Sequence, residues 1–239
     1  MVDHRIKSVP RDSGDPVKTK HELQKLGREL AGILDRYAPR KAVSDNQDIV
    51  LRLRGTDKAD YLFAVNDKRT FGDYIGQWKL VQEKGVATSG TVEVKTRAKA
   101  AYDLVRHHRI DLKNTPAGCE FPLELAPGDG CCILLLEKPV ANVKVSLPKQ
   151  IRRGEKFTLN IAVTDDANRP VPAVMPVEVS LLSDSGIKLP GSGYYAAVDG
   201  KLTVNEVMPT NAPAGNIKVS VKCLASGKTV SAQSAVSEK

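Results

Sequence analysis

Ring systems are scarce in this sequence. Aromatic residues make up 5% of it and the one tryptophan is Trp78, so any loop that gathers several rings carries information. Cysteine is also sparse: Cys119, Cys131, Cys132 and Cys223 include no C-x-x-C pair, which excludes a zinc ribbon and a disulfide framework. No run of roughly eighteen apolar residues exists, which removes a membrane-spanning helix. The N-terminal stretch MVDHRIKSVPRDSGDPVK lacks the apolar core of a secretion signal. The expectation is therefore a chain that stays inside the cell, or a piece of a longer one. No G-x-S-x-G elbow, H-E-x-x-H pair or P-loop occurs.

At 239 residues, with 41% hydrophobic and 27% charged residues, the chain has the composition of a globular protein with room for two domains. The formal charge is +8, a balance that would suit a polyanion if the bases were clustered. They are scattered, and the densest groups are pairs (Arg40-Lys41, Lys68-Arg69, Arg152-Arg153). Nucleic-acid binding is not expected.

Residues 1–17 hold Pro10, Gly14 and Pro16 among charges and read as a flexible lead-in. A helix is expected over 18–39. Leu23, Leu26, Leu30, Ile33, Leu34 and Tyr37 recur at spacings of three and four and form one apolar stripe. Thr19 and Glu22 resemble a capping box, and Pro39 marks the end. The stripe must bury itself against the following domain or against one outside this chain.

From Asp48 the apolar period changes to two. DIVLRLRG, ADYLFAVN, TVEVKT, AAYDLVR, RIDLK, CEFPLELAPGD and CCILLLEK are short strand-like segments separated by Gly, Asp, Asn and Pro. They predict an antiparallel β-sandwich over 40–139, with Ala126–Gly130 as a tight hairpin turn. A second β unit is expected over 140–239. Phe157, Leu159, Ile161 and Val163 share a face, and strands follow at about 175–183, 194–198, 201–208, 216–224 and 228–235. That count matches an immunoglobulin-like sandwich. The fold class is thus mainly β: two antiparallel sandwiches in tandem with one amphipathic N-terminal helix. Cys223 falls on the apolar face of IKVSVKC, and Cys131 and Cys132 point to opposite faces of a strand. A bridge from Cys119 to Cys131 or Cys132 fits the spacing, but buried free thiols are the simpler reading.

Candidate sites are few. GSGYYA, Gly191–Ala196, matches a dinucleotide fingerprint but precedes the hairpin VDGKLTV instead of a helix, so its glycines have no helix N-terminus to serve. His107 and His108 have no carboxylate or thiol at ligand spacing and read as a surface hairpin. No metal and no cofactor are expected. Carboxylates pair in sequence as Asp57/Asp60, Asp67/Asp73 and Asp165/Asp166, all in turn-like segments where Asp bonds nearby main chain. The stretch after Val65 is the richest. Tyr74 and Trp78 would stack on a sugar or a neighbouring domain, with Asn66, Asp67 and Lys68 as polar contacts. The plainer reading is a short helical turn that packs Tyr74, Ile75 and Trp78 onto the sandwich.

The succession TDKADYLFAVNDKRTFGDYIGQW, AAYDLVRHHRIDL and FPLELAPGDGCCILLLEKP resembles the β-sandwich that follows the catalytic barrel in large bacterial, planctomycete-type glycoside-hydrolase-like proteins. RRGEKFTLNIAVTDDANRPVPAVMPVEVSLLSDSG and the segments after it are similar to the macroglobulin-type or immunoglobulin-like domain that trails it. The resemblance covers about residues 40–236. It implies that the catalytic carboxylates lie in an upstream barrel and that this region is no enzyme by itself. It also implies an accessory role on an upstream or separate catalytic domain, contact with polysaccharide, and an extracellular or periplasmic site if the parent is secreted. The alternative from the residues alone is a protein-binding structural or adhesion module.

Overall fold

The computed structural model describes residues 16–56, 58–70, 73–75, 80–82 and 84–237. The lead-in up to residue 15 lies outside them. The chain is mainly β, with antiparallel sheets and, among the described residues, one helix near the N-terminal end. This matches the expected class of β-sandwich units in tandem.

Helix α1 spans Pro16–Leu34, earlier than the expected 18–39. Proline at the first turn has its φ preset and needs no N–H partner, so it starts the helix and leaves Thr19 inside it instead of at the cap. The helix stops at Leu34 because Asp35 turns the chain: its carboxylate accepts the Arg40 main-chain N–H at 3.1 Å and guanidinium bonds at 2.8–3.2 Å. Those Arg40 bonds hold the Asp35 carboxyl below its ordinary range. The strands that follow cover the apolar stripe only in part. Leu26 and Leu30 are half-buried, but Leu23, Ile33 and Leu34 are exposed and Tyr37 is 85% exposed. The helix is held by polar contacts instead: Lys20 to Asp48 at 2.9 Å, Arg28 to Gln47 at 3.0 Å, and Gln47 to the Gln24 carbonyl at 3.0 Å.

Eleven strands precede residue 137 among the described residues. They are β1 Ala42–Ser44, β2 Ile49–Gly55, β3 Asp60–Asn66, β4 Asp73–Ile75, β5 Leu80–Gln82, β6 Thr88–Val94, β7 Ala100–Asp103, β8 His108–Ile110, β9 Lys113–Thr115, β10 Gly118–Leu125 and β11 Gly130–Leu136. They form sheets of order β1-β6-β10-β9 and β2-β3-β11-β7-β8, with β4-β5 as a separate hairpin. The turn between β10 and β11 is the expected APGDG. Gly128 takes φ +65° there, and the Asp129 N–H closes on the Ala126 carbonyl.

The next eight strands are β12 Asn142–Ser146, β13 Gln150–Arg152, β14 Lys156–Thr164, β15 Met175–Ser183, β16 Gly193–Ala197, β17 Lys201–Val207, β18 Gly215–Cys223 and β19 Thr229–Ser237. Their sheets are β12-β14-β17 and β13-β19-β18-β15-β16, all antiparallel except the β13–β19 pair. Phe157, Leu159, Ile161 and Val163 are all buried, as are Met175, Val177, Val179 and Leu181 on β15 and Ile217, Val219, Val221 and Cys223 on β18. Alternation thus places one row per strand inside, where a side chain of this size contributes about 1.5–3 kcal/mol. GSGYYA becomes edge strand β16 with no helix after it. The Asp199-Gly200 turn then takes φ of 49° and 68°, the primed geometry whose twist suits a hairpin. A Cβ on Gly200 would meet the Val171 and Val163 main chain at 2.7–2.8 Å.

Contact density divides the chain into two compact units. One holds the described residues up to Arg52, with Ala64–Lys95 and Pro122–Gly130; the other holds Leu53–Phe63, Thr96–Phe121 and the residues from Cys131 onward. Within the second unit, Ala59, Ala100, Tyr102, Leu134 and Leu136 share one hydrophobic cluster with the strands after residue 140. Two tyrosines tie this cluster to main chain: the Val140 N–H donates to the Tyr102 hydroxyl at 2.8 Å, and the Val174 N–H to the Tyr61 hydroxyl at 3.0 Å. Burial pushes the Tyr102 phenol up from its ordinary pKa. Tyr102→Phe keeps the ring but leaves the Val140 N–H buried without its partner, so it is expected to cost about 1–3 kcal/mol in urea unfolding. A change under a few tenths would mean that this bond is not needed.

Candidate functional site

The stretch after β3 is a long hairpin, not a helical turn. The Val86 N–H donates to the Lys68 carbonyl and the Thr70 N–H to the Lys84 carbonyl, and Arg69 pairs with Gly85. Beyond this stem Asp73–Ile75 pairs with Leu80–Gln82, and Tyr74 sits opposite Val81 in the ladder. Strand pairing replaces the expected helical turn because stem hydrogen bonds already run in antiparallel register into the segment. Trp78 lies outside the described residues. For Tyr74 and Asp73 only the strand position is described.

Asn66 is 5% exposed. Its amide donates to the Val86 carbonyl at 2.8 Å and the Ala126 carbonyl at 2.7 Å, while its side-chain oxygen accepts the Lys68 N–H at 2.8 Å. One side chain thereby joins the end of β3, the start of β6 and the β10–β11 turn. Asp67 is exposed and pairs with Arg69 at 3.0 Å, and Lys68 is half-buried. Asn66, Asp67 and Lys68 are therefore neighbours in sequence but unequal in access.

Two carboxylates are buried among the described residues, and each is engaged by its own turn. Asp103 is 1% exposed. One of its oxygens accepts the N–H groups of Val105 and Arg106 at 2.8 and 2.9 Å, and the other meets the Arg106 guanidinium at 3.0 Å. These bonds end β7 and set up the β7–β8 hairpin, which carries His107 at φ 58° and His108 at its far side. Asp165 accepts the N–H groups of Ala167 and Arg169, both at 2.9 Å, and the Arg169 Nε and Nη2 at 3.1 and 3.0 Å. The Arg169 main-chain bond and guanidinium hold the Asp165 carboxyl below the ordinary range, with help from Lys138. None of the four cysteines is in a disulfide, and burial pushes the Cys119 and Cys132 thiols up, away from nucleophilic thiolate. Among the described residues no three His, Cys, Asp or Glu side chains come together as metal ligands. No helix among the described residues is long and apolar enough to cross a membrane.

The second unit also contains a charged cleft that the sequence reading missed. A cavity of about 480 Å³ is walled by Lys58, Glu137, Lys138, Asp165, Arg169 and the apolar run Pro170–Pro172, with Leu136 at its floor. A hollow of about 220 Å³ shares Lys58 and Glu137 and adds Arg97 and Asp60. The available signal was the Asp165/Arg169 spacing in the loop after β14. Nothing local in the sequence tied that loop to Lys58 in the β2–β3 turn.

No family model matches the chain, and no curated protein matches it. Among solved structures it is similar to superoxide reductase (neelaredoxin) from Ignicoccus hospitalis, at 13% identity over 42% of this chain and 82% of that one, with TM-score 0.29. A putative beta-galactosidase from Bacteroides fragilis is 13% identical, covering 74% of this chain and 32% of that one, with TM-score 0.26. Domains 4 and 5 of the S-layer protein SbsC are 16% identical over 82% and 96%, with TM-score 0.27.

Two outcomes follow from the polar anchors. Asn66→Ala should lower stability by about 2–4 kcal/mol in denaturant titration, and Asn66→Asp by more at neutral pH, because it points carboxylate oxygens at two carbonyls. Equal stability of Asn66→Asp and wild type would refute this. For Asp165 the folded pKa lies below the unfolded value near 3.9, so its contribution is present above that pH and lost as pH falls through the folded pKa. The melting temperature of Asp165→Asn should therefore fall below wild type at pH 5–8, and the gap should close toward pH 2. A gap that stays constant with pH would contradict the ionic account.

Proposed function

We propose that this chain is a non-catalytic accessory region of a carbohydrate-active, glycoside-hydrolase-like protein, which docks on an upstream or separate catalytic domain and contacts glycan. The observation that carries the reading is the state of the buried acids. Asp103 and Asp165 are each taken up by main-chain N–H groups and an arginine of their own loop. A general acid or nucleophile needs a free face toward substrate. The sequence resemblance over residues 40–236 supplies the carbohydrate context. It also supports a division into sandwiches over 40–139 and 140–239. The order of three strands beside five after residue 140 favours an immunoglobulin-like assignment for the second. Asp67, Lys68, Tyr74 and Trp78 are the proposed contacts of the first, with Asn66 anchoring the chain after β3.

A second reading has its own support. The exposed stripe of Leu23, Ile33, Leu34 and Tyr37 favours a protein partner over a sugar. Affinity electrophoresis through gels cast with neutral and acidic polysaccharides separates the two, read alongside Trp78 fluorescence and release of reducing ends. Retention by at least one polysaccharide with no reducing ends released is the expected outcome. Release that Asp67→Asn abolishes would overturn the non-catalytic reading. Loss of retention on every gel, together with self-association in sedimentation, would favour the protein-binding module.

A further inference from the structure

The charged cleft has features that the accessory reading does not yet use. Its volume of about 480 Å³ lies within the range of small-ligand sites. The apolar lining open to a ligand is Pro170 and Pro172, with Val171 and Leu136 buried. Such a surface suits the C–H face of a sugar ring and offers no donors of its own. The opposite character comes from Lys58, Lys138 and Arg169, set against Glu137 and Asp165.

The free charge is not what a simple count gives. Asp165 already accepts four hydrogen bonds, two from main chain and two from Arg169, and Lys138 stands 3.7 Å from it. Its carboxylate is therefore compensated and rigid, and it holds the Arg169 guanidinium in one orientation with Nη1 left over. Lys58 is tied only loosely, 3.9 Å from Asp199, and its side chain is 60% exposed. Two ammonium groups and one guanidinium edge thus line a hollow in which, among the described residues, Glu137 is the one carboxylate besides Asp165. The adjoining hollow shares Lys58 and Glu137 and adds one charge of each sign, Arg97 and Asp60. An exposed ammonium with a distant partner can add a charge-assisted bond to a ligand anion without first breaking a strong one. Preorganisation by Asp165 lowers the ordering cost of binding.

We infer that this cleft binds an anionic saccharide, a sugar carrying a carboxylate or a sulfate ester, with Lys58 and Lys138 on the acid group and the Pro170–Pro172 wall against the ring. The inference rests on the carbohydrate reading above and names the ligand class. A neutral sugar would leave the two ammonium groups with only their carboxylate partners at 3.7 and 3.9 Å, and a bare inorganic anion would leave the apolar wall unused.

The test is affinity electrophoresis and calorimetry of the full chain with a polyuronate, a sulfated galactan and neutral dextran of similar length. The variants are Lys58→Gln/Lys138→Gln and a control, Lys218→Gln/Lys222→Gln, which removes the same charge from the exposed face of β18. Thermal melts confirm that both fold. Wild type should bind at least one acidic polymer better than dextran, and the uronate and sulfate arms identify which acid group is recognised. The cleft variant should lose at least about tenfold in affinity, as expected when a charged hydrogen bond is removed, and the control should lose little. Equal losses in both variants would overturn the cleft in favour of diffuse charge. Saccharide binding that is unchanged in the cleft variant would overturn the cleft and leave the carbohydrate reading standing. Failure of every saccharide to bind wild type would overturn both.

Discussion

The main-chain N–H of Val140 is buried and takes the hydroxyl of Tyr102 as its partner. Much of the larger compact unit depends on this kind of contact. A buried donor away from water must be matched, and the residue that matches this one is itself a buried ring within the shared hydrophobic cluster. At the exposed edge of the unit the Tyr61 hydroxyl likewise accepts the Val174 N–H. Apolar rows bring the strands together without direction, since burial depends on area alone. The tyrosine hydroxyls supply direction, because a hydrogen bond weakens steeply away from its preferred distance and angle.

The same constraint accounts for where the charged and amide side chains go. Asp103, Asp165 and Asn66 look in sequence like chemistry waiting for a substrate. In the fold each is consumed by orphaned N–H or carbonyl groups at a strand end. A β-sandwich has many such ends, and every abrupt turn leaves main-chain groups that short Asp and Asn side chains satisfy. This is why carboxylates concentrate in the loops without converging on one another.

Fixing a loop in this way can still serve recognition. The bonds that hold Asp165 also aim Arg169 and bring Lys138 close, so a structural knot becomes one wall of a cleft. Lys58 reaches the same hollow from the β2–β3 turn, distant in sequence. The charge of +8, read along the chain, is a scatter of pairs. In space a few of those bases share a concave surface with an apolar side, which is a different physical object from a basic patch.

Alternation of apolar and polar residues was enough to read most strands from Asp48 onward, because a strand with one buried face repeats every two residues. The strands from β15 to β19 start and end within a residue or two of the pattern. Turn chemistry was legible for the same local reason, as at APGDG and Asp199-Gly200. The helix was legible as a helix, but its start and its cover were not. Pro16 outcompeted the Thr19 cap, and the apolar stripe met a polar turn. The hairpin at Asp73–Ile75 was misread because its short segment is decided by pairing with Leu80–Gln82, a partner no local window contains. By itself the sequence determined the strand faces and the turns, since those follow from each residue's own side chain and its near neighbours. Only the tertiary structure decided which polar groups are used up and which remain open to a ligand, because that depends on the fold bringing Lys58, Lys138 and Arg169, distant in sequence, to one cleft.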